Sequence, residues 1–248
     1  MTVVIQIVVT VLFTLLLSCN THTNNANSNA LKATDSINKG SSVTTMIDTP
    51  RSFVKNYDRK DNPLFVFVGE KISVQPLPHE QGSIDNGFTA KYIILQKVYG
   101  DFPLDTIEFV VYDHYGVPDF SKYKNVLLFV SADSGTYYHQ KYMYNDVYKT
   151  KGGRWAGTYT YEDYNHAYNK LTKVKPVKIE FAEEVSYPTR MVDEEGRQMT
   201  FSYPKPYFKT VSDKAIAVYG NYIEDLFKLK KDGVLTARGL FGSKRVIP

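Results

Sequence analysis

The chain has 248 residues, 43% hydrophobic and 23% charged, and its 30 basic and 26 acidic side chains give a net charge of +4. That charge is mild and interspersed, unlike the one-sided Lys/Arg concentration of nucleic-acid binders, so nucleic acid is not an expected partner. One cysteine excludes a disulfide framework, and the roughly 200 residues beyond the N-terminal segments can build a core without such staples.

Residues 1–18 carry no Asp, Glu, Lys, Arg or His and run almost continuously through Val, Ile, Leu and Phe. A bilayer span needs about 20 such residues, whereas the apolar core of a signal peptide needs about 7 to 15. The run stops at Ser18, a small side chain suited to a peptidase, and the only cysteine follows as Cys19. From Asn20 to about Thr49 the chain is rich in Asn, Thr and Ser, without a sustained period of 2 or 3.6. Such a segment buries too little apolar surface to offset its ordering entropy. As a flexible tether of about 30 residues it would reach roughly 30 Å.

Leu16-Leu17-Ser18-Cys19 resembles the lipobox of bacterial lipoproteins. The resemblance implies that Cys19 receives a diacylglyceryl group, that residues 1–18 are removed as a signal peptide, and that the new amine is acylated. Two or three acyl chains would anchor the protein stably, at about 0.8 kcal/mol per buried CH₂. The early Lys or Arg of that family is missing here; either export tolerates this, or the start lies upstream of Met1. Asn20 differs from the Asp that marks inner-membrane retention in enteric lipoproteins, which points to the outer membrane, facing the periplasm.

Strand patterns follow. Leu64 to Val74 is rich in β-branched and aromatic residues around Gly69, the signature of a bulge or barrel corner. Phe88 to Tyr99 is a second strand, closed by Gly100 and Asp101. In Asp105 to Asp113, Ile107, Phe109 and Val111 share a face. The continuous apolar run within Asn125 to Ser131 predicts a strand buried on both sides. Thr136 to Lys149 alternates, Gly152 and Gly153 read as a hairpin turn, and Trp155 lies in a sixth, short strand.

The order Val68-Gly69-Glu70-Lys71-Ile72, Val98-Tyr99-Gly100-Asp101, Asp105-Thr106-Ile107-Glu108-Phe109 and Val126 to Val130 is similar to the OB-fold of netrin modules and tissue inhibitors of metalloproteases. The resemblance covers about residues 60–160 and implies a small β-barrel. Those inhibitors act through an N-terminal cysteine clamped by disulfides, which nothing here can replace, so protease inhibition is not implied.

Pro176 to Tyr187 alternates Val177, Ile179 and Phe181 with charged positions, as a half-buried strand does. Asp193 to Gly196 reads as a turn, with Gln198 to Phe208 completing a hairpin. Ser212 and Asp213 suit a helix start, Lys228, Lys230 and Lys231 its last turn, and Gly233 its stop. Ile216, Tyr219, Ile223, Leu226 and Phe227 would form the buried face. Tyr161 to Leu171 suggests a shorter helix joining the two regions.

Chemistry-bearing patterns are few. No metal-ligand spacing, Gly-x-Ser-x-Gly, P-loop or dinucleotide fingerprint occurs. Asp113 and His114, with His139, are the candidates for a hydrolase or metal-dependent centre, although adjacent residues of a regular strand point apart. Tyrosine is abundant, with 20 residues. On a regular strand Tyr138, Tyr142, Tyr144 and Tyr148 would line one face, where they could stack on sugar rings or simply cover a half-exposed sheet.

The expectation is a mainly β protein, with an OB-like barrel followed by a β-hairpin and a C-terminal helix. Residues 1–18 are the signal peptide, 19–49 the lipidated cysteine and tether, 50–160 the barrel, and 161–248 an α/β extension packed on it. Its expected role is a non-catalytic binding or scaffolding module of the bacterial cell envelope, held to the membrane through Cys19. No metal or cofactor is expected, and an envelope protein or a glycan is the expected partner.

Overall fold

A computed structural model describes residues 63–79, 82–170, 172–193 and 195–242. The predicted signal peptide, Cys19 and the tether lie outside the described residues. The strands are β1 (Leu64–Pro76), β2 (Asn86–Tyr99), β3 (Thr106–Asp113), β4 (Asn125–Asp133), β5 (Thr136–Lys149) and β6 (Trp155–Thr158). A short helix α1 (Tyr161–Asn165) precedes β7 (Val177–Lys178), β8 (Ser186–Pro188), β9 (Arg190–Val192), β10 (Gln198–Thr200), β11 (Phe208–Val211), β12 (Lys214–Ala217) and β13 (Tyr219–Tyr222). Helix α2 (Ile223–Lys230) follows and runs into a π-helical turn, Lys231–Leu235.

The first five strands close on themselves. β1 pairs antiparallel with β2 and β4, β2 with β3, and β4 with β5. A parallel contact between Val110 of β3 and Tyr138 of β5 completes a ring in the order 1-2-3-5-4-1. This closed ring of strands fits the small barrel expected from the sequence.

Alternation explains the ring. Phe65, Phe67, Ala90, Tyr92, Ile107, Phe109, Val111, Val126, Leu128 and Val130 fill its interior. Leu127 and Phe129, on the other face of β4, pack with Met143, Ile223 and Leu226 under α2. That is why β4 reads as an uninterrupted apolar run. Gly69 lies at a register shift between β1 and β2, and a Cβ there would meet the Tyr92 ring at 3.0 Å. A 3₁₀ turn (Asp119–Lys122) between β3 and β4 drives Phe120 into the barrel, against Tyr92, Phe109, His139 and Tyr144.

The sheet continues beyond the ring. β5 turns at Gly152 and Gly153 into β6, which pairs with β13, and β13 pairs with β7. β8, β12 and β11 form a separate sheet, and β9 with β10 forms a hairpin. Asp193 shapes the hairpin's turn by accepting backbone N–H bonds from Glu195 and Arg197 at 3.0 and 2.8 Å.

Three local expectations are corrected. Ser212 and Asp213 do not start a helix: they are the tight loop joining β11 to β12, with Ser212 at φ +53°. Strand pairing on both sides of Lys214–Ala217 outweighs the capping signal, and the helix begins only at Ile223. Gly233 is not its stop either, because it sits inside the π-helical turn. There a Cβ would lie 1.8 Å from Asn169 Oδ1, so only glycine fits beside that side chain. The segment from Pro176 to Tyr187 is no continuous strand: it holds β7 and the start of β8, with Ile179 and Phe181 buried between them and Val177, expected on the same face, exposed.

Candidate functional site

The site is built on an irregularity in β5. Leu128 of β4 pairs with Tyr144, and Val130 with His139, so residues 140–143 stand opposite Phe129 alone. Tyr142, within this bulge, has φ +63° and is half exposed. A left-handed conformation costs a non-glycine residue roughly 1–2 kcal/mol, and it persists only where the surrounding structure over-determines the backbone.

Several ties hold the bulge. The His139 Nε2–H donates to the Met143 carbonyl at 3.0 Å, closing it from inside. Gln140 donates to Ser131 Oγ at 2.8 Å, and Arg238 donates to Gln140 Oε1 at 3.3 Å and to the Lys141 carbonyl at 3.0 Å. Lys141 Nζ reaches Asp85 Oδ2 at 2.7 Å. Burial pushes the His139 imidazole down to about 3, so the ring is neutral at physiological pH.

The bulge also reverses the strand's alternation. Before it, Tyr137 and His139 point to the barrel interior. After it, Tyr144 does, while Met143, Asn145 and Val147 are buried on the opposite face. The predicted tyrosine face is therefore broken. Tyr142 and Tyr144 line one cleft, and Tyr148 reaches its edge by donating to Asp146 at 2.9 Å. Tyr138 stands apart at the β3–β5 closure, outside the cleft lining.

That cleft has a volume of about 510 Å³. The barrel contributes Tyr123, Tyr142 and Tyr144, the end of β6 is followed by Tyr159, and the extension contributes Tyr187 and Tyr203. Its walls are stacked rings: Tyr159 lies 3.7 Å from Tyr207 at 9° and 5.3 Å from Tyr164 at 12°. Tyr187 and Tyr203 stack at 5.9 Å and 15°. Asp119, Asp146, Glu162 and Asp163 bring carboxylates to it, against one lining cation, Lys230.

The carboxylates are held differently. Asp146 accepts bonds from the hydroxyls of Tyr148 and Tyr187, at 2.9 and 2.6 Å. Both donors are neutral, so its negative charge is stabilised without being cancelled. Asp163 instead pairs with the buried Lys230 ammonium and accepts from Asn145 Nδ2 at 2.8 Å. Asp119 pairs with Lys122 at 2.5 Å. Burial and, behind it, the charges of Asp119, Asp146 and Asp113 push the Tyr144 phenol up. Burial and then Asp146 do the same to Tyr187. Both phenols stay protonated, and Tyr187 donates to Asp146.

A second cavity of about 410 Å³ adjoins the cleft, sharing Asp119, Tyr142 and Tyr144, and is lined also by Asp113, Tyr115 and His139. It gathers two of the three candidate catalytic residues. Asp113 is engaged by the Tyr115 backbone N–H at 2.8 Å, and the His139 Nε2–H by Met143. His114 Nδ1 lies 3.6 Å from Asp85 Oδ1, and His114 does not line the cavity. Among the described residues no group of three or more His, Cys, Asp or Glu is placed to hold a metal.

Asp146, Tyr187, Tyr203 and Asp163 are cleft residues that the sequence did not mark as candidates, and Lys230, expected only as a helix-end cation, joins them. Asp146 had a signal, since it alternates with Tyr144 and Tyr148 on one strand face. The others arrive from distant segments with no local pattern.

Fold and site together define a small OB-like barrel whose bulged fifth strand, with the segment after it, frames an acidic, tyrosine-lined cleft. No family model, curated protein or solved structure matches the chain. No helix among the described residues is long and apolar enough to cross a membrane.

Proposed function

We propose that the protein is a lipid-anchored module of the bacterial envelope that binds a ligand in the tyrosine-lined cleft and does not transform it. The observation that carries the binding reading is the pinned bulge, which holds Tyr142 in a costly conformation at the junction of two concave sites. Clefts of about 300–1,000 Å³ lined by aromatic rings with a few placed polar groups suit small ligands or a partner's side chain. A catalytic reading draws less support, because Asp113, His114 and His139 each serve a different local contact. Anchoring rests on the residues around Cys19, and the outer membrane facing the periplasm is the proposed location.

Glycan stacking is a second reading, favoured by Tyr142 and Tyr144 sharing the cleft with the paired rings of Tyr187 and Tyr203. Two measurements test the proposal. Metabolic labelling with a radioactive or alkyne fatty acid should mark wild-type protein and not Cys19→Ala; unlabelled wild type would remove the anchor. Folded Tyr144→Ala should lose ligands that wild type retains from envelope extracts, whereas unchanged retention would remove the cleft from the account.

A further inference from the structure

We infer that the cleft takes an organic cation, an alkylammonium group whose charge sits against Asp146 and whose stem runs along the tyrosine rings. The inference rests on the binding reading above and names the ligand's chemistry. Four observations carry it.

First, the cleft's charge opposes that of the chain. Four carboxylates line it; Asp119 and Asp163 pair with Lys122 and Lys230, which, among the described residues, leaves Asp146 and Glu162 without a counter-charge in a protein that is +4 as a whole. Second, the lining ammonium is already committed, since Lys230 pairs with Asp163 in a buried contact. Among the described residues, no cationic side chain pairs with Asp146 or Glu162.

Third, Asp146 is half-buried and held only by neutral hydroxyls. A partly desolvated carboxylate without a counter-charge is unfavourable, and an incoming cation relieves it. Beside it, Asn145 is buried and lines the cleft with its Oδ1 lacking any hydrogen-bond partner. An ammonium presents three N–H donors and no acceptor, which matches a cleft lined by carboxylates beside a buried, unsatisfied amide oxygen.

Fourth, the walls are aromatic. Tyrosine faces attract cations, more strongly when partly desolvated, and their edges accommodate methylene groups. A neutral sugar would use the rings equally well but leave the Asp146 charge uncompensated. An anion is opposed by the carboxylates.

A free diamine or polyamine and the lysine side chain of a polypeptide both present this group. Calorimetric titration of the whole protein with spermidine, 1,5-diaminopentane, a tri-lysine peptide and the neutral trisaccharide chitotriose separates the sources. At least one amine probe should bind, roughly tenfold more weakly when salt rises from about 20 to about 200 mM. Asp146→Asn should weaken that binding roughly tenfold or more. Glu162→Gln alters an exposed residue and leaves the fold intact; it should weaken binding by roughly threefold. Tighter binding of the small amines points to a free amine, and tighter binding of tri-lysine to a basic polypeptide. Amine binding indifferent to both substitutions and to salt overturns the inference. Chitotriose binding without amine binding also overturns it, while the binding-module reading survives. No heat with any probe, together with no loss of extract ligands in Tyr144→Ala, removes both.

Discussion

His139 and Tyr142 show how single residues in β5 exchange stability for shape. The neutral His139 ring fills the barrel end beside Phe120 and ties off the bulge through Met143. Its folded pKa, about 3, lies below the ordinary value of 6.5. Below pH 6.5 the unfolded chain takes up a proton that the folded chain refuses. The stabilisation from this site is therefore complete above that pH and is lost as pH falls toward 3. Near 1.4 kcal/mol per pH unit, the contribution falls by about 2 kcal/mol between about pH 7 and about pH 5. Urea titrations of wild type and His139→Gln should show their stability difference shrinking by about that much as the pH is lowered. A difference that stays constant would mean the ring is not the buried neutral group described. Tyr142→Gly addresses the bulge itself: glycine tolerates φ +63°, so the variant should equal or exceed wild type by up to about 1 kcal/mol while losing cleft ligands. A loss of more than about 1 kcal/mol would show that the ring, half exposed as it is, does structural work.

Between elements, the wall of the cleft depends on one hydrogen-bonded cluster. Asn169 donates to the Asp163 carbonyl at 2.8 Å and accepts from the Val234 N–H at 3.1 Å, tying the end of the α1 segment to the turn after α2. Gly233 makes room for it. Gly233→Ala should displace Asn169 and destabilise the fold by about 2 kcal/mol or more, read as a lower denaturation midpoint, and should weaken ligand binding through the Asp163 wall. Unchanged stability would mean that the turn can shift without disturbing Asn169.

These elements differ in how far the sequence announced them. β1 to β5 were legible because burial on a pleated sheet imposes a period of two, and Gly69 marked its own bulge. The bulge at 140–143 carries no glycine or proline; Arg238, about a hundred positions away in sequence, helps hold it, so no local pattern could reveal it. The missed bulge is also why Tyr138 was grouped with Tyr142, Tyr144 and Tyr148. At Ser212 and Asp213 a genuine capping signal was outvoted by β8 and β11 pairing on either side of β12.

At the scale of the molecule, the barrel frames one side of the cleft and the extension completes it. Asp119, Tyr123, Tyr142 and Tyr144 come from the ring, whereas Tyr187, Tyr203 and Lys230 come from chain beyond it. Sequence alone could suggest the barrel, but the cleft exists only once the extension folds back. Selective ¹³C labelling of tyrosine rings, followed by NMR titration with spermidine and with chitotriose, tests the central claim most directly. One of these probes should move the ring signals of Tyr142, Tyr144, Tyr187 and Tyr203 together and leave buried Tyr92 unmoved. Signals of those four rings that stay fixed while other tyrosines respond, or a spectrum unchanged by either probe, would contradict it.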